Sequence, residues 1–368
     1  GSKDDEGLKR TVHTAVIICL AGGILITVFG ILFSHNILAL MNTKDELIDG
    51  AVLYLRIYLL GMPALGLYNF GNAVLSAAGD TKRPLYYLAF AGVVNVILNL
   101  FFVIVCHLGV AGVALASMIS QFISAFLILR ALLTGKEKYC LRLSEIRFDK
   151  RKAVGILQIG IPSAFQYSLF AFANLFVQSS VNSFDHVLVE GNSAAANADP
   201  LVYDMMAAFY TACSSFIAQN FGARKKKRIL QTYLICLFYS FITSLVLGVG
   251  IYLARYPFLY LFTSDKAVVE AGITRLSIMA LSYSASAFMD ASIAASRGLG
   301  KTAVPTFVVV MGSCVFRIIW IYTIFAYFHT IQSLYILYVF SWGITAIAEN
   351  IYFFHVYRHT LTEKKELC

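Results

Sequence analysis

Ten long apolar stretches, separated by short polar segments, limit more than any other feature how this chain can fold. A helix of about 20 apolar residues is long enough to cross the hydrocarbon core of a bilayer. Inside lipid every backbone N–H and C=O must be paired, and stretches of this length achieve that as helices. The predicted spans are residues 12–33, 51–75, 85–107, 110–133, 156–182, 194–221, 229–254, 271–296, 303–328 and 332–356. The sequence therefore predicts an all-α, polytopic membrane protein.

The composition supports a lipid environment. Hydrophobic residues make up 59% of the chain, and Asp, Glu, Lys and Arg together make up only 13%. A soluble domain carries about 25% charged residues, so this chain has too little polar surface to face water on all sides. The lipid bilayer is therefore its expected partner.

The formal net charge of +9 raises the possibility of nucleic-acid binding, but the distribution of the basic residues excludes it. One set of alternate loops holds Lys3, Lys9 and Arg10; Lys82 and Arg83; seven basic residues from Lys136 to Lys152; five from Arg224 to Arg228; Arg297 and Lys301; and Arg358, Lys364 and Lys365. The other set holds only Lys44, Arg255 and Lys266. Basic loops are retained on the cytoplasmic side. We therefore expect a multi-pass protein of the cell membrane with both termini in the cytoplasm.

An internal repeat relates the two halves of the chain. Gly79-Asp-Thr-Lys-Arg-Pro84 recurs 221 residues later as Gly300-Lys-Thr-Ala-Val-Pro305, and the same offset aligns Leu40-Met41 with Leu261-Phe262. Such duplications are common in transporters. The second half holds six spans and the first only four, so about 70 residues, or two spans, are expected to precede Gly1. On this interpretation the chain is a fragment that holds 10 of 12 transmembrane helices.

The repeat also predicts the domain organisation. Residues 1–133 form a truncated N-lobe of four transmembrane helices, and residues 134–152 form a charged cytoplasmic linker. Residues 153–357 form a C-lobe of six transmembrane helices, and residues 358–368 form a cytoplasmic tail. The expected fold is a two-lobe helical bundle with a parallel internal repeat.

Several motifs resemble those of the multidrug and toxic compound extrusion (MATE) family, over essentially the whole chain. They are Ile159-Gly-Ile-Pro-Ser163, Gln219-Asn-Phe-Gly-Ala223, Gly79–Pro84, Phe288-Met-Asp-Ala291 and Arg297-Gly-Leu-Gly300. The resemblance implies a twelve-helix, V-shaped transporter, of which this chain would hold helices three to twelve. It also implies export of cationic, amphiphilic compounds in exchange for Na⁺ or H⁺.

Asp290 is the main candidate for a functional residue, because a charge at the membrane centre costs about 3 kcal/mol or more. Tyr283, Ser286 and Asp290 recur at i, i+3 and i+7, so a phenol, a hydroxyl and a carboxylate share one helix face. Their oxygens could ligate Na⁺, with Asp290 as the metal ligand, or the carboxyl could carry a proton. The alternative is a carboxyl that only hydrogen-bonds a neighbouring helix. The repeat places Asn69 at the equivalent position of the first half.

The resemblance bears on the same residues. It implies that a carboxylate at the position of Asp290 serves cation coupling. Some family members also carry a glutamate about ten residues after the glycine of Gly-x-Pro, where this chain has Phe170. That departure puts a sodium-type site in doubt.

Further polar residues inside the spans are candidates for a substrate cavity. Asn197, Asp204 and Thr211 form a stripe at seven-residue spacing that is expected to face the interior of the bundle. Asn174 and Gln178 could line the same cavity. For all of these, an interhelical hydrogen bond is the competing interpretation.

Two arginines and a glutamate are further charged residues within the spans. Arg317 lies mid-span and could neutralise Asp290 or Asp204, or donate hydrogen bonds between helices. Arg275 is expected to snorkel to the outer interface, and Glu349 is expected to reach water from the cytoplasmic side. Pro63 and Pro162 are expected to bend their helices.

The preferred function is a monomeric secondary transporter in which a small cationic or amphiphilic substrate is exported through alternating access between two lobes. It needs no cofactor beyond a coupling ion, Na⁺ or H⁺, and it is not an enzyme. No GxxxxGK[ST] motif is present to bind ATP. The alternatives are a lipid-linked oligosaccharide flippase of the same superfamily, an intramembrane enzyme, and an inactive transporter fragment.

Overall fold

A computed structural model describes residues 2–40 and 45–360. The α-helices in these ranges are α1 Asp5–Leu40, α2 Asp45–Leu59, α3 Met62–Ala77, α4 Lys82–Leu100, α5 Gly109–Thr134, α6 Lys150–Val181, α7 His186–Ala196, α8 Ala198–Gly222, α9 Lys226–Leu253, α10 Arg255–Tyr260, α11 Lys266–Gly298, α12 Ala303–Val309, α13 Phe316–Trp320, α14 Ala326–Phe328 and α15 Ile331–His359. Short π-helical segments extend α4 and join α12 to α14. No β-strand occurs in the described ranges, which confirms the all-α prediction. Met41, Lys44, Lys364, Lys365 and the rest of the tail from residue 361 lie outside these ranges.

The helices reproduce the ten predicted spans. Within the described residues nine helical segments are long and apolar enough to cross a membrane, and the bent pair α2–α3 makes a tenth. The break in that pair lies at Leu60-Gly61, and α3 then begins with Pro63 in its first turn. The bend there measures 44°, which confirms the prediction for Pro63, whereas α6 runs through Pro162 without a break.

Several helices extend beyond the predicted apolar spans because polar residues cap them. Helix α6 starts at Lys150, six residues before the predicted span. The Asp149 carboxylate accepts from the backbone N–H groups of Arg151 and Lys152 at 2.9 and 3.1 Å. Such a cap satisfies backbone donors that the first helical turn leaves unpaired, so the helix forms well before the apolar residues begin.

The chain divides into two compact units. The N-terminal unit is Asp4–Ile156, and the C-terminal unit is Leu157–Cys368 together with Gly1–Lys3. The lobe and linker boundaries given above stay a prediction.

The N-terminal unit packs α1, α2, α3, α4 and α5 through close backbone approaches. A Cβ on Gly23 of α1 would lie 2.6 Å from Pro63 Cα, and a Cβ on Gly71 of α3 would lie 2.8 Å from Ile128. The polar segment after α5 packs on the start of α1, where the Arg142 backbone N–H donates to His13 Nε2 at 3.1 Å. These contacts hold the segment against the unit.

Helix α11 is the centre of the C-terminal unit and packs against α7, α8, α9 and α15. Small residues fill its buried surface, among them Ala287, Ala291, Ser292, Ala295 and Ser296. Helices can approach closely only where side chains are small. The crowding of small residues in this span therefore lets four helices surround one.

The internal repeat is visible in the backbone. Gly79 and Gly300, 221 residues apart, both adopt positive φ angles, +93° and +76°. The same hydrogen bond closes both helix ends, from Asp80 N to Leu75 O at 2.9 Å and from Lys301 N to Ser296 O at 3.0 Å. Glycine suits this left-handed position because it lacks a Cβ. The matching geometry supports the duplication.

Gly248→Ala is expected to destabilise the C-terminal unit by about 1–3 kcal/mol, the usual range for overpacking. A Cβ at Gly248 of α9 would collide with the backbone carbonyl of Ala280 in α11, which a rigid helix pair cannot move away easily. Gly250→Ala on the same helix is the control, because a Cβ there meets nothing within 4 Å. Thermal unfolding in detergent measures both; equal midpoints would contradict the close α9–α11 packing.

Candidate functional site

Asp290 lies partly buried on α11, facing α8. The nearby groups that interact electrostatically with its carboxyl include Tyr210 and Tyr203 of α8 and Arg297 of α11. Among the described residues no cation lies within 4 Å of the carboxylate, so Asp290 takes part in no ion pair there. A carboxylate in this position can accept an external cation without first losing a salt bridge.

The predicted grouping of three oxygens on α11 is wrong for Tyr283. Its hydroxyl is buried but donates to Asp199 Oδ1 of α8 at 2.5 Å. The Ser286 hydroxyl is also buried and donates to the Tyr283 carbonyl of its own helix at 2.8 Å. Helical spacing puts the three residues on one face, but the phenol donates to the Asp199 carboxylate of α8 and not to Asp290.

A buried ion pair lies where the sequence predicted only a snorkelling arginine. Arg275 of α11 has a side chain 8% exposed, and its Nη2 lies 2.5 Å from Asp199 Oδ2. Its Nη1 donates to Asn192 Oδ1 of α7 at 2.6 Å. The interpretation of Arg275 as a snorkelling residue is therefore wrong. The sequence feature that could have indicated this ion pair is an acidic residue, Asp199, within another apolar span.

Arg317 acts as an interhelical donor, not as a partner for a carboxylate. It is fully buried, and it donates to Asn174 Oδ1 of α6 at 2.7 Å and to Ser341 Oγ of α15 at 3.3 Å. Its guanidinium lies 4.6 Å from the ring centres of both Phe170 and Tyr338. Two aromatic faces stabilise the cation. Of the two roles that the sequence left open for Arg317, the described residues show the interhelical donor and not the neutralisation of Asp290 or Asp204.

A cavity of about 260 Å³ lies inside the C-terminal unit beside these groups. Its lining residues are Phe170, Asn174, Val177, Gln178, Val181, Asn192, Ala196, Asp199, Tyr203, Arg275, Met279, Tyr335, Tyr338 and Trp342. The cavity has room for several water molecules, and polar groups on its wall can hydrogen-bond them. It therefore brings together the predicted residues Asn174 and Gln178 with the unpredicted pair Asp199 and Arg275.

The predicted polar stripe on α8 does not pack inside this unit. Asn197, Asp204 and Thr211 are all exposed. The buried face of α8 is formed instead by apolar residues, including Val202, Met206, Cys213 and Ile217. The expectation that the stripe faces the interior of the bundle is therefore wrong for the C-terminal unit. Asn69, on α3 of the N-terminal unit, is exposed as well.

Glu349 of α15 was predicted to reach water, and that prediction is wrong. Its side chain is 0% exposed. The next residue, Asn350, donates to the Phe288 carbonyl of α11 at 3.2 Å and accepts from the Tyr233 hydroxyl of α9 at 2.5 Å. These bonds hold this part of α15 against α11, on the side where Asp290 lies. The position of Glu349 within its span could be read from the sequence, but the packing of α15 against α11 could not.

Comparison with known proteins identifies the family. The MatE family model matches residues 1–101 and 162–323, which is more than half of the chain. The chain belongs to the MATE family. MATE proteins are transporters and not enzymes, so the intramembrane enzyme is excluded.

Two relatives of this MATE chain come from Bacillus subtilis. The probable multidrug resistance protein YoeA is 28% identical over 292 residues, which cover 77% of this chain and 63% of the relative. The probable multidrug resistance protein YpnP is 31% identical over 230 residues, which cover 62% of this chain and 51% of the relative. The matched region thus spans less than two thirds of the length of either relative.

A solved structure supports the fold. A MOP superfamily transporter from Pyrococcus furiosus superposes with a TM-score of 0.91 at 21% identity, over 98% of this chain and 81% of the other. The agreement confirms the prediction of a polytopic, two-lobe helical fold. Together with the apolar helices, it makes this MATE chain a multi-pass membrane protein.

Proposed function

We propose that the protein is a secondary active transporter that exports cationic or amphiphilic small molecules in exchange for Na⁺ or H⁺. Membership of the MATE family supports transport, and the names of the Bacillus relatives, probable multidrug resistance proteins, support drug-like substrates. The substrate crosses the cell membrane by alternating access between two lobes, with both chain termini in the cytoplasm. The protein works as a monomer and without a cofactor.

The proposal rests mainly on the surroundings of the Asp290 carboxylate. A partly buried carboxylate with no cation within 4 Å, in the described part of the chain, is costly in a membrane unless a mobile cation or proton neutralises it. Tyr210 and Tyr203 present hydroxyl groups on the same side. An exchangeable cation at Asp290 would therefore make one state of the transporter more stable than the other.

Coupling follows if the cation has different affinities for the inward-open and outward-open states. A ligand shifts a conformational equilibrium only by its differential affinity, and the effect on a second ligand is reciprocal. Cation binding at Asp290 that favours the outward-open state would weaken drug binding there. The drug-free transporter then returns to the inward-open state with the cation bound and releases the cation on the cytoplasmic side.

Energised cells that express the full gene product are expected to expel ethidium several times faster than cells with an empty vector. The driving ion follows from two treatments: an uncoupler removes the proton gradient, and replacement of Na⁺ by K⁺ removes the sodium gradient. One of them should abolish the difference between the two strains. Equal rates in both strains for ethidium and for several other cationic dyes would reject drug export.

A further inference from the structure

Glu349 is a buried carboxylate that the proposed mechanism does not yet use. Its side chain is 0% exposed, and neither Oε1 nor Oε2 has a hydrogen-bond partner among residues 2–40 and 45–360. A buried ionised carboxylate without hydrogen bonds is strongly unfavourable. Its presence in the core of the helical bundle therefore indicates that a proton or another cation from outside the folded chain neutralises it for part of the time.

Asp290 lies at a similar distance from the end of the adjacent helix. Glu349 is ten positions before the last residue of α15, a rise of about 15 Å, and Asp290 is eight positions before the last residue of α11, a rise of about 12 Å. The two carboxyl groups interact electrostatically. The bond from Asn350 to the Phe288 carbonyl shows that these two helix segments are in contact.

Arg297 is the cation that both carboxylates share. It interacts electrostatically with Asp290 and with Glu349. Its guanidinium is held by α6, because Nη2 donates to Gln166 Oε1 at 3.0 Å and the group lies 5.7 Å from the Tyr167 ring centre. Since no ion pair under 4 Å joins it to either carboxylate in the described chain, it compensates their charge only from a distance.

The other buried cations of the C-terminal unit are already engaged. Arg275 pairs with Asp199. Arg317 contacts two aromatic rings, and the groups that affect it electrostatically are Tyr338, Tyr203 and Cys314. The remaining charged group facing this region from α15 is the weakly acidic Tyr352, which interacts with Glu349. Two carboxylates therefore face one fixed arginine, which leaves one negative charge without a fixed partner.

We propose that Glu349 and Asp290 form a two-carboxylate site that binds one exchangeable monovalent cation, H⁺ or Na⁺, per transport cycle, with Arg297 as its fixed counter-charge. The proposal rests on the proposed ion-driven transport and adds a residue and a stoichiometry to it. Glu349→Gln leaves one carboxylate facing Arg297, so the site becomes neutral without an added cation. The variant is then expected to fold but not to couple.

Transport by reconstituted full gene product tests the residue. With the ion gradient that drives the wild type, Glu349→Gln is expected to lose at least nine tenths of dye accumulation, while exchange of labelled for unlabelled substrate without a gradient stays within twofold of the wild type. Glu349→Asp should retain coupling. Glu190→Gln, an exposed carboxylate of the same unit, is the control and should behave as the wild type.

A double variant separates charge balance from a structural role. Glu349→Gln combined with Arg297→Gln again leaves one carboxylate without a fixed partner, so part of the coupling should return. Coupled accumulation by Glu349→Gln at the wild-type level overturns the proposal. Loss of gradient-free exchange together with coupling, without recovery in Glu349→Asp or in the double variant, overturns it as well, because it shows a structural role.

Direct binding to purified protein tests the site without transport. We expect one cation per chain in the wild type and none in Glu349→Gln, measured either as bound ²²Na⁺ or as protons released when ethidium is added. Binding of neither ion by the wild type overturns the two-carboxylate site even if dye is exported. Cation binding without any dye export instead rejects the proposed substrate class and leaves the site standing.

Discussion

Asp290→Asn is expected to lower ion-driven dye efflux at least about tenfold, within the range of typical coupling free energies. The amide has the shape of the carboxyl but no charge, so it neither carries a proton nor attracts a cation. Tyr210 and Tyr203 remain as neighbours, and the helix packing should persist. The measurement is ethidium efflux from energised cells at equal membrane abundance of the two proteins.

Glu270→Gln on the same helix is the matched control for this variant. Glu270 is exposed and lies near the opposite end of α11 from Gly298, so its loss removes one charge from the helix without affecting the candidate site. Efflux should remain at the wild-type level. If Asp290→Asn also pumps at that level, Asp290 serves only as a hydrogen-bonding group and the coupling ion binds elsewhere.

Arg275→Gln is expected to destabilise the C-terminal unit by about 3 kcal/mol, the lower end of the range for breaking a buried ion pair. The lower end applies because the Asp199 side chain retains 28% exposure, whereas that of Arg275 has 8%. The substitution also removes the donor to Asn192. For a unit of this size the melting temperature should fall by roughly 6–12 °C, as measured by thermal unfolding in detergent.

A double-mutant cycle distinguishes loss of the pair from loss of the arginine alone. Asp199→Asn together with Arg275→Gln leaves no unpaired charge, so the double variant should be more stable than the sum of the two single changes predicts. Arg255→Gln is the control, since the cation–π contacts that Arg255 makes are with the rings of its sequence neighbours Tyr252 and Tyr256. Strict additivity of the two single changes would show that the pair contributes no coupling energy.

The two networks of the C-terminal unit share Tyr203. This residue interacts electrostatically with Asp290 and with Asp199, and it lies on the wall of the 260 Å³ cavity. Its ring meets those of Tyr283 and Trp342 edge-on at centroid distances of 6.0 Å. Tyr203 of α8 thus lines the cavity and also interacts with Asp290, one carboxylate of the proposed two-carboxylate site.

Predictions that depend on the chain's local pattern agree with the structure. Apolar length located all ten spans, because a stretch of about 20 apolar residues has few stable conformations in lipid other than a helix. The repeat of Gly79–Pro84 at Gly300–Pro305 located two equivalent helix ends, because positive φ selects glycine at both. Pro63 correctly indicated the break between α2 and α3, because proline restricts the backbone locally.

Predictions that depend on which helix lies opposite a side chain were less successful. The face containing Tyr283, Ser286 and Asp290 could be read from helical spacing, but the phenol contacts Asp199 because α8, not α11, presents the acceptor. Arg275 and Glu349 were assigned to water from their distance to a helix end. Both are buried because neighbouring helices cover them. The distance of a residue from the end of its own helix does not show whether another helix covers it.

The sequence by itself determined the membrane environment, the number and approximate position of the membrane spans, the internal duplication and the family. Each of these follows from composition, apolar length or local backbone preference, which the chain carries at every position. Only the tertiary structure decided that Arg275 pairs with Asp199, that Arg317 contacts Phe170 and Tyr338, and that Glu349 interacts with Asp290. These pairings depend on how helices distant in sequence pack together, and a helix face has no single partner until that packing exists.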